Sequence, residues 1–490
     1  MRSLRTLVVC ATLLLASTQF THAQRWIPLV NQPDASLGLG NPLLLTDGTV
    51  ILHEACGREW WRLTPDALGS YVKGTWKRIT SLPSGYAPLY FGSAVLADGR
   101  VMMAGGEYNL ANGSCTPVWT NQAAIYDPTT NKWAMVAPPR NWKTIGDAQS
   151  VVLADGTYMQ ANCSTTESAL LDPTTLTWKI TGTGKKDVND EEGWTLLPDG
   201  NVLTVDAYVF NYHPNGKGYE IYHPSTGKWT KPGSTPVQLW DSSGSFEVGP
   251  AVLRPDGTVF YTGANGAPGQ AGHTAIYDTN TKTWTAGPDI PDGIDIADGP
   301  AALLPSGNVL IQASPGIFNP GSKFFEWDGT SFSNATAGNT DAPNLSSYYG
   351  NMLVLPTGQV LYTDFGNVWI YNHTGKAKSE WRPQILSLPS TVRRGQTYQV
   401  SGLNFNGFSQ GAAYGDDAQA ATNYPLVMIT NRVTGNVYFA RTHDHSTMGI
   451  AYTTSASTNF DVSSKTETGL SDLVVIANGI ASLAVTVNVE

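Results

Sequence analysis

A turn triplet recurs seven times in the chain, each copy between two short apolar runs: "LLLTDGTVIL", "AVLADGRVMM", "VVLADGTYMQ", "TLLPDGNVLT", "AVLRPDGTVF", "ALLPSGNVLI" and "LVLPTGQVLY". The glycine of each Asp-Gly, Ser-Gly or Thr-Gly pair supplies the positive φ of a tight turn. The aliphatic and β-branched flanks favour strands, so every copy predicts a β-hairpin. After most hairpins comes a strand that ends in a turn and then Trp: "AAIYDPTTNKW", "ALLDPTTLTW", "YEIYHPSTGKW", "TAIYDTNTKTW" and, more loosely, "KFFEWDGTSF". The repeating unit is therefore four strands, with 44 to 57 residues from turn to turn. A lone twisted sheet of four strands leaves both faces unburied. Tandem copies around an axis cover them, which predicts a seven-bladed β-propeller.

The seventh copy, "MLVLPTGQVLYTDFGNVWIYNHTGKAK", offers three clear strands, and "RWIPL" at 25 to 29 resembles the fourth strands of other copies. N-terminal residues are expected to complete the last blade, because closure removes both open sheet edges. After Trp381 the Trp repeat stops. Residues 382–490 hold short alternating strands such as "TYQVSGLNF" and "DLVVIANGIASLAVTVNVE", which predict a separate β-sandwich of immunoglobulin-like size.

A charged fraction of only 14%, with 50 Gly, 30 Pro and 15 Trp, suits turn-rich β structure better than helices. The first 23 residues combine Arg2, Arg5, an apolar stretch from Leu7 to Ala16 and a Thr-His-Ala ending. That pattern predicts a cleaved export signal, with the mature chain starting at Gln24 and the protein secreted or periplasmic. The apolar stretch is too short to span a bilayer and no later run is longer, so no membrane span is expected. Val9 is too bulky to precede a lipid-modified Cys10. Without the leader, 27 basic residues face 39 acidic ones, a balance that excludes nucleic acid as a partner class. Cys56, Cys115 and Cys163 remain, without metal-type spacing, and predict one disulfide with one thiol left over. A monomer is expected.

Gly105-Gly106 after the second hairpin, the Tyr-Asp turns and the Trp that follows them resemble kelch repeats. With a leader and a C-terminal sandwich of the immunoglobulin-like, early-set type, the chain resembles galactose oxidase and glyoxal oxidase, the secreted copper-radical oxidases. That resemblance implies a copper site on the propeller axis, made by two tyrosines, one of them cross-linked to a cysteine, and two histidines, one delivered by the C-terminal domain. Three of these parts and the cross-linking cysteine lie where the first strand of a blade begins, eight or nine residues before the centre of the hairpin turn. Counting eight back gives Leu39, Tyr90, Asp147, Glu191, Val248, Asp298 and Tyr349. Tyr348 matches the family's axial tyrosine, but Tyr349 stands in place of the adjacent histidine. Asp147 falls where the cross-linked tyrosine belongs, and Tyr90 or Phe91 where the cysteine belongs. His443 in "ARTHDHSTMG" corresponds to the remaining histidine. The resemblance thus implies the architecture, while the substitutions argue against the copper radical; copper-radical oxidation of primary alcohols or aldehydes stays as the alternative.

The same register predicts a different constellation. Asp147, Glu191 and Asp298 share the axial row, Glu192 and Glu247 lie one position from it, and Tyr90, Tyr348 and Tyr349 join them in a funnel. Crowded carboxylates raise one another's pKa unless a cation or a basic ligand neutralises them. Three outcomes follow: a carboxylic acid beside an ionised partner, as glycosidic cleavage needs; coordination of Ca²⁺; or solvated rim residues. Loops on the same face are expected to bring His53, Glu54, Tyr108, Tyr208, His213 and His273 near the mouth, while Trp60 and Trp61 serve as sugar platforms or blade filler.

His443 and His445 would face one side of a strand, as a metal pair or proton relay needs, or else form a polar contact between sandwich and propeller. "YGDDAQ" at 414–419 offers oxygen ligands for Ca²⁺. The expected function is binding of, or action on, extracellular carbohydrate or another small molecule through an acidic axial funnel. Asp147, Glu191, Asp298, Tyr348 and Tyr349 are the catalytic candidates of a hydrolase or lyase, and Tyr90, Glu192, Glu247 and His273 the substrate contacts. A non-catalytic glycan- or protein-binding propeller is the further alternative.

Overall fold

The computed structural model describes residues 25–490 apart from 112, 209–216 and 266–268, so the leader and His213 lie outside the described residues. The seven hairpins form as predicted, and every one of their turn glycines, from Gly48 to Gly358, has a left-handed φ between 75° and 87°. Each hairpin supplies the two inner strands of a blade. Blade 2, for example, runs outward from Gly92–Val95 through Val101–Ala104 and Ala123–Asp127 to Lys132–Val136, all antiparallel. Blade 7 is completed by the N-terminal strand Trp26–Pro28, whose Trp26 pairs with Tyr371 and Pro28 with Trp369. The fold is a kelch-type all-β propeller closed by strands from both ends of the blade array. Among the described residues no helix is long and apolar enough to cross a membrane.

The repeated Trp has a physical task. On the outer strands it lies across from the Tyr of the Tyr-Asp turn, as in Tyr126↔Trp133, Tyr222↔Trp229 and Tyr277↔Trp284, with ring centroids 5.0 to 5.4 Å apart. Its indole N–H then reaches back to the preceding blade: Trp133 to Thr80 O, Trp178 to Ala137 O and Trp76 to Asn31 O. Trp26 repeats this contact across the closure, donating to Ala335 O at 2.7 Å beyond the outer strand of blade 6. Where the indole reaches back in this way, the Trp buries apolar surface within its blade while its one polar atom pins the neighbour; the indole N–H groups of Trp229 and Trp284 make no such bond.

Residues from Gln384 onward form two further sheets that share the strand Val437–His443. Its first half pairs with Leu426–Asn431 and its second half with Ala456–Asp461. They enclose their own core of Val392, Val400, Val427, Phe460, Leu473 and Val487. One segment leaves this unit. Ala412 and Ala413 pair with Ala302 and Ala301, adding a fifth strand to the inner edge of blade 6. The following residues 414–419 enter the propeller axis.

Cys56 and Cys115 form the disulfide and Cys163 is free and buried. The disulfide ties blade 1 to the hairpin Tyr108–Ala111/Ser114–Thr116 inserted in blade 2.

Candidate functional site

Each axial residue sits immediately before an inner strand, where the chain has crossed from the previous blade. Asp147 precedes Ser150–Val152, Glu191 precedes Thr195–Leu196, Glu247 precedes Ala251–Leu253 and Asp298 precedes Ala301–Leu303. Tyr90, Glu191 and Asp298 all adopt left-handed backbone, with φ of 51°, 60° and 35°. The row is brought together as the spacing predicts. Oxygen atoms of Glu191, Asp298 and Asp416 lie within 4.8 Å of one another, and so do those of Asp147, Asp416 and Asp417.

Asp416 and Asp417, which the sequence offers as oxygen ligands of a separate turn, join the axial row. The stretch at 414–419 is no free calcium turn. It is a plug from the C-terminal unit, with Asp416 and Asp417 each only 1% exposed. Gly415 passes so close to Asp298 that a Cβ there would lie 2.5 Å from its Oδ1, and Tyr414 donates a 2.7 Å hydrogen bond to Tyr348 O. The signal was present in "GAAYGDDAQAA", a run of small residues that lets a strand thread into a narrow axis.

The carboxylates perturb one another. Burial, then Asp416, Asp417, Glu191 and Glu107, holds Asp147 well above the usual carboxylate range. Burial and then Asp416 do the same to Glu191 and Asp298, burial and then Asp298 to Glu247, and burial and then Asp416 to Asp417. Asp416 is pushed up to about 6, chiefly by burial. Above this floor stand half-buried Tyr108, expected near the mouth, and half-buried Glu107, which sequence reasoning had missed. Burial, followed by Asp416 and Asp190, pushes the Glu107 carboxyl up to about 7. Tyr90 is likewise raised, by burial and then Asp298, Tyr348 and two further aspartates. Tyr348 and Tyr349 pack with centroids 4.1 Å apart, and Phe318, 55% exposed, meets Tyr348 edge-on.

Several expected participants lie elsewhere. Glu192 points away from the funnel, the chain turning at the left-handed backbone of Glu191. It accepts from Lys185 Nζ at 3.0 Å and from Thr204 Oγ1 at 3.1 Å, and Glu220 also binds that lysine. Burial disfavours the Lys185 charge, but Glu192, Glu220, Asp206 and Asp187 outweigh it and hold the lysine above its ordinary range. His273 pairs with Asp289 at the surface. Glu54 accepts from Ser36, Leu37 and Trp61 and shapes its own loop. His53 is buried against Trp60 and Phe91 with Nε2 on Gly57 O, and burial lowers it to about 4.

His443 and His445 do not form a pair. The strand ends at His443, and Asp444, with φ 51°, turns the chain. His443 meets Asp444 and Asp461, whereas buried His445 contacts Thr458 and stacks on Tyr424. The backbone N–H of His445 donates to Ala97 O in the blade 2 turn, which is the sandwich–propeller contact weighed as the alternative.

The donor set does not fit a copper-radical centre. Among the described residues, the three groups able to hold an ion consist of carboxylates alone, without histidine or cysteine. Cys163 donates to Asp190 Oδ1 at 3.2 Å rather than meeting a matching axial tyrosine.

No family model matches the chain. A kelch-like protein, terF, of Aspergillus terreus is 28% identical over 134 residues, which is 26% of this chain and 26% of that protein. The match thus spans about a quarter of each. A fungal alcohol oxidase of the AA5 family, solved in complex with copper, superposes with a TM-score of 0.56 at 14% identity, covering 95% of this chain and 99% of the other. At that identity the likeness concerns the fold. A virginiamycin B lyase of Staphylococcus aureus aligns over 72% of this chain and 99% of its own at 9% identity and a TM-score of 0.45. The chain has the galactose oxidase-like kelch-propeller fold.

Proposed function

We propose that this is an exported protein that binds extracellular carbohydrate, or another polyhydroxylated small molecule, at the mouth of its axial funnel and without a copper-radical cofactor. Residues 1–23 would be the leader, 24–381 the propeller and 382–490 an immunoglobulin-like unit. One observation carries the reading: an aromatic rim of Phe318, Tyr348, Tyr349 and Tyr108 stands over a carboxylate floor. Aromatic faces take the C–H faces of a sugar and carboxylates accept from its hydroxyls.

A glycosidase pair needs roughly 5 to 10 Å between carboxyl groups and room for water or the scissile bond. Trios within 4.8 Å closed by a plug favour binding over cleavage at that level. Glu107 is the group suited to turnover. It is half-buried, and near its pKa of about 7 it can give or take a proton.

The test is a glycan array, followed by a reducing-end assay on the glycans that bind. Tyr348→Ala is expected to weaken binding by roughly tenfold or more, as loss of a stacking aromatic does. Glu107→Gln is expected to spare binding and remove any turnover. Peroxide release on primary alcohols with stoichiometric copper would overturn the proposal in favour of the oxidase.

A further inference from the structure

The axial plug carries a second, independent peculiarity. Asp416 and Asp417 come from a different unit than the propeller carboxylates, yet both are buried with none of their four carboxylate oxygens hydrogen-bonded among the described residues. Asp147 Oδ1, Glu191 Oε2, Glu247 Oε2 and Asp298 Oδ1 are unpartnered as well. A buried acceptor left without a donor costs about 1–3 kcal/mol, and more when charged. A protein that carries six such groups around one point has a use for their lone pairs.

The other buried carboxylate group provides the contrast. Asp187, Glu192 and Asp206 also lie within 4.8 Å of one another. That group contains its own counter-ion, Lys185, which reaches Glu192 and Glu220 at 2.9 Å. On the axis the groups acting most strongly on each carboxylate are other carboxylates. Among the described residues no lysine or arginine plays that part on the axis, so the lone pairs there are open to a cation from outside.

We infer that the axis holds a divalent cation of the hard, oxygen-preferring class, bound between Asp147, Glu191 and Asp298 of the propeller and Asp416 and Asp417 of the plug, and that this ion latches the C-terminal unit into the propeller. Asp416 belongs to both trios and bridges them. A purely carboxylate donor set selects Ca²⁺, Mg²⁺ or Mn²⁺ over metals that prefer nitrogen or sulfur. Beside Asp417, a cavity of about 10 Å³ lined by His53, Tyr90 and Tyr414 has room for one water, a ligand that Ca²⁺ commonly retains. The latch lies beneath the aromatic rim and does not depend on what the rim binds.

Tb³⁺, a luminescent stand-in for Ca²⁺, tests the site on the full-length, chelator-treated protein, because Tyr90 and Tyr414 stand close enough to sensitise it. Saturable Tb³⁺ luminescence displaced by Ca²⁺ is expected. So is a rise in Tm of roughly 5 °C with excess Ca²⁺, together with slower proteolysis around residues 409–423. The isosteric double variant Asp416→Asn/Asp417→Asn should fold, lose the luminescence and lose the Ca²⁺-dependent shift. Asp187→Asn, in the lysine-neutralised group, should change neither. Absence of saturable uptake in the parent, or undiminished uptake in the double variant, would overturn the inference, as would selective uptake of Cu²⁺. Glycan binding measured on the same double variant reports separately on the rim.

Discussion

Glu191 and Glu192 are neighbours in sequence and have opposite fates. The first enters the axial floor, and the second anchors a buried lysine between strands. Counting from the hairpin turn put Asp147, Glu191 and Asp298 in one row, which the structure brings together around Asp416, and Glu192 one position from it in the same funnel. The left-handed backbone at Glu191 sends the two side chains to different places, and no composition rule reveals which of two adjacent acids a lysine seven residues away will claim.

A third kind of buried acid occurs in blade 7. Asp364 is 4% exposed and accepts from the Gly366 N–H. Burial, then Asp341, pushes it up to about 7. At a pH below its unfolded value of about 4, the carboxyl is protonated in both states and folding bears no ionisation cost. As pH rises towards 7 the unfolded chain loses this proton first, and stability falls by about 1.4 kcal/mol per pH unit. Asp364→Asn keeps an acceptor for Gly366 and removes that loss. Denaturant melts should show the variant ahead by roughly 2–4 kcal/mol near pH 8 and level with the parent near pH 4. A difference that ignored pH would refute the assignment.

Elements were far more legible than side-chain neighbours. The seven turns, their left-handed glycines and the outer-strand Trp follow from local chemistry, which is written in contiguous residues. The closing strand could be read too, since "RWIPL" has the Trp of an outer strand, and its indole makes the same backward contact as Trp76 and Trp133. Trp26 is fully buried against Phe324, Tyr362 and Tyr371. Trp26→Ala is expected to cost about 3–5 kcal/mol, measurable as a lowered denaturation midpoint. A surface-sized loss below about 1 kcal/mol would mean that the strand does not close the ring. The plug's small residues could be read, but its destination could not, for the opposite reason. Its partners lie far away in sequence, and the histidine-bearing strand Val437–His443 was the more conspicuous candidate for a route to the axis. That strand instead joins the two C-terminal sheets, while a short run of alanines and glycines enters the propeller.

On the scale of the molecule, the long-range ties that hold the parts include the closing strand, the plug, and the disulfide between Cys56 and Cys115 across 59 residues. A cross-link of that span restricts the unfolded chain by about 4 kcal/mol. Reduction under mild conditions should lower the unfolding midpoint accordingly, and the Cys56→Ser/Cys115→Ser pair should show the same loss without added reductant. Equal stability of the reduced and oxidised protein would mean that the bond is a local staple with little effect on the unfolded state.

The closing strand also has a temporal meaning. Arg25 and Tyr371, hydrogen-bonded at the seam, are separated by 346 residues, so the first described strand stays without its partner until the last blade exists. Ring completion is thus a late, entropically demanding event, and the plug, still further along the chain, follows it. A closed circle has no loose blade from which fraying can begin. The native protein should therefore persist through slow opening as much as through depth of its energy well, and its lifetime against a protease would be set by how often the Trp26 seam lets go.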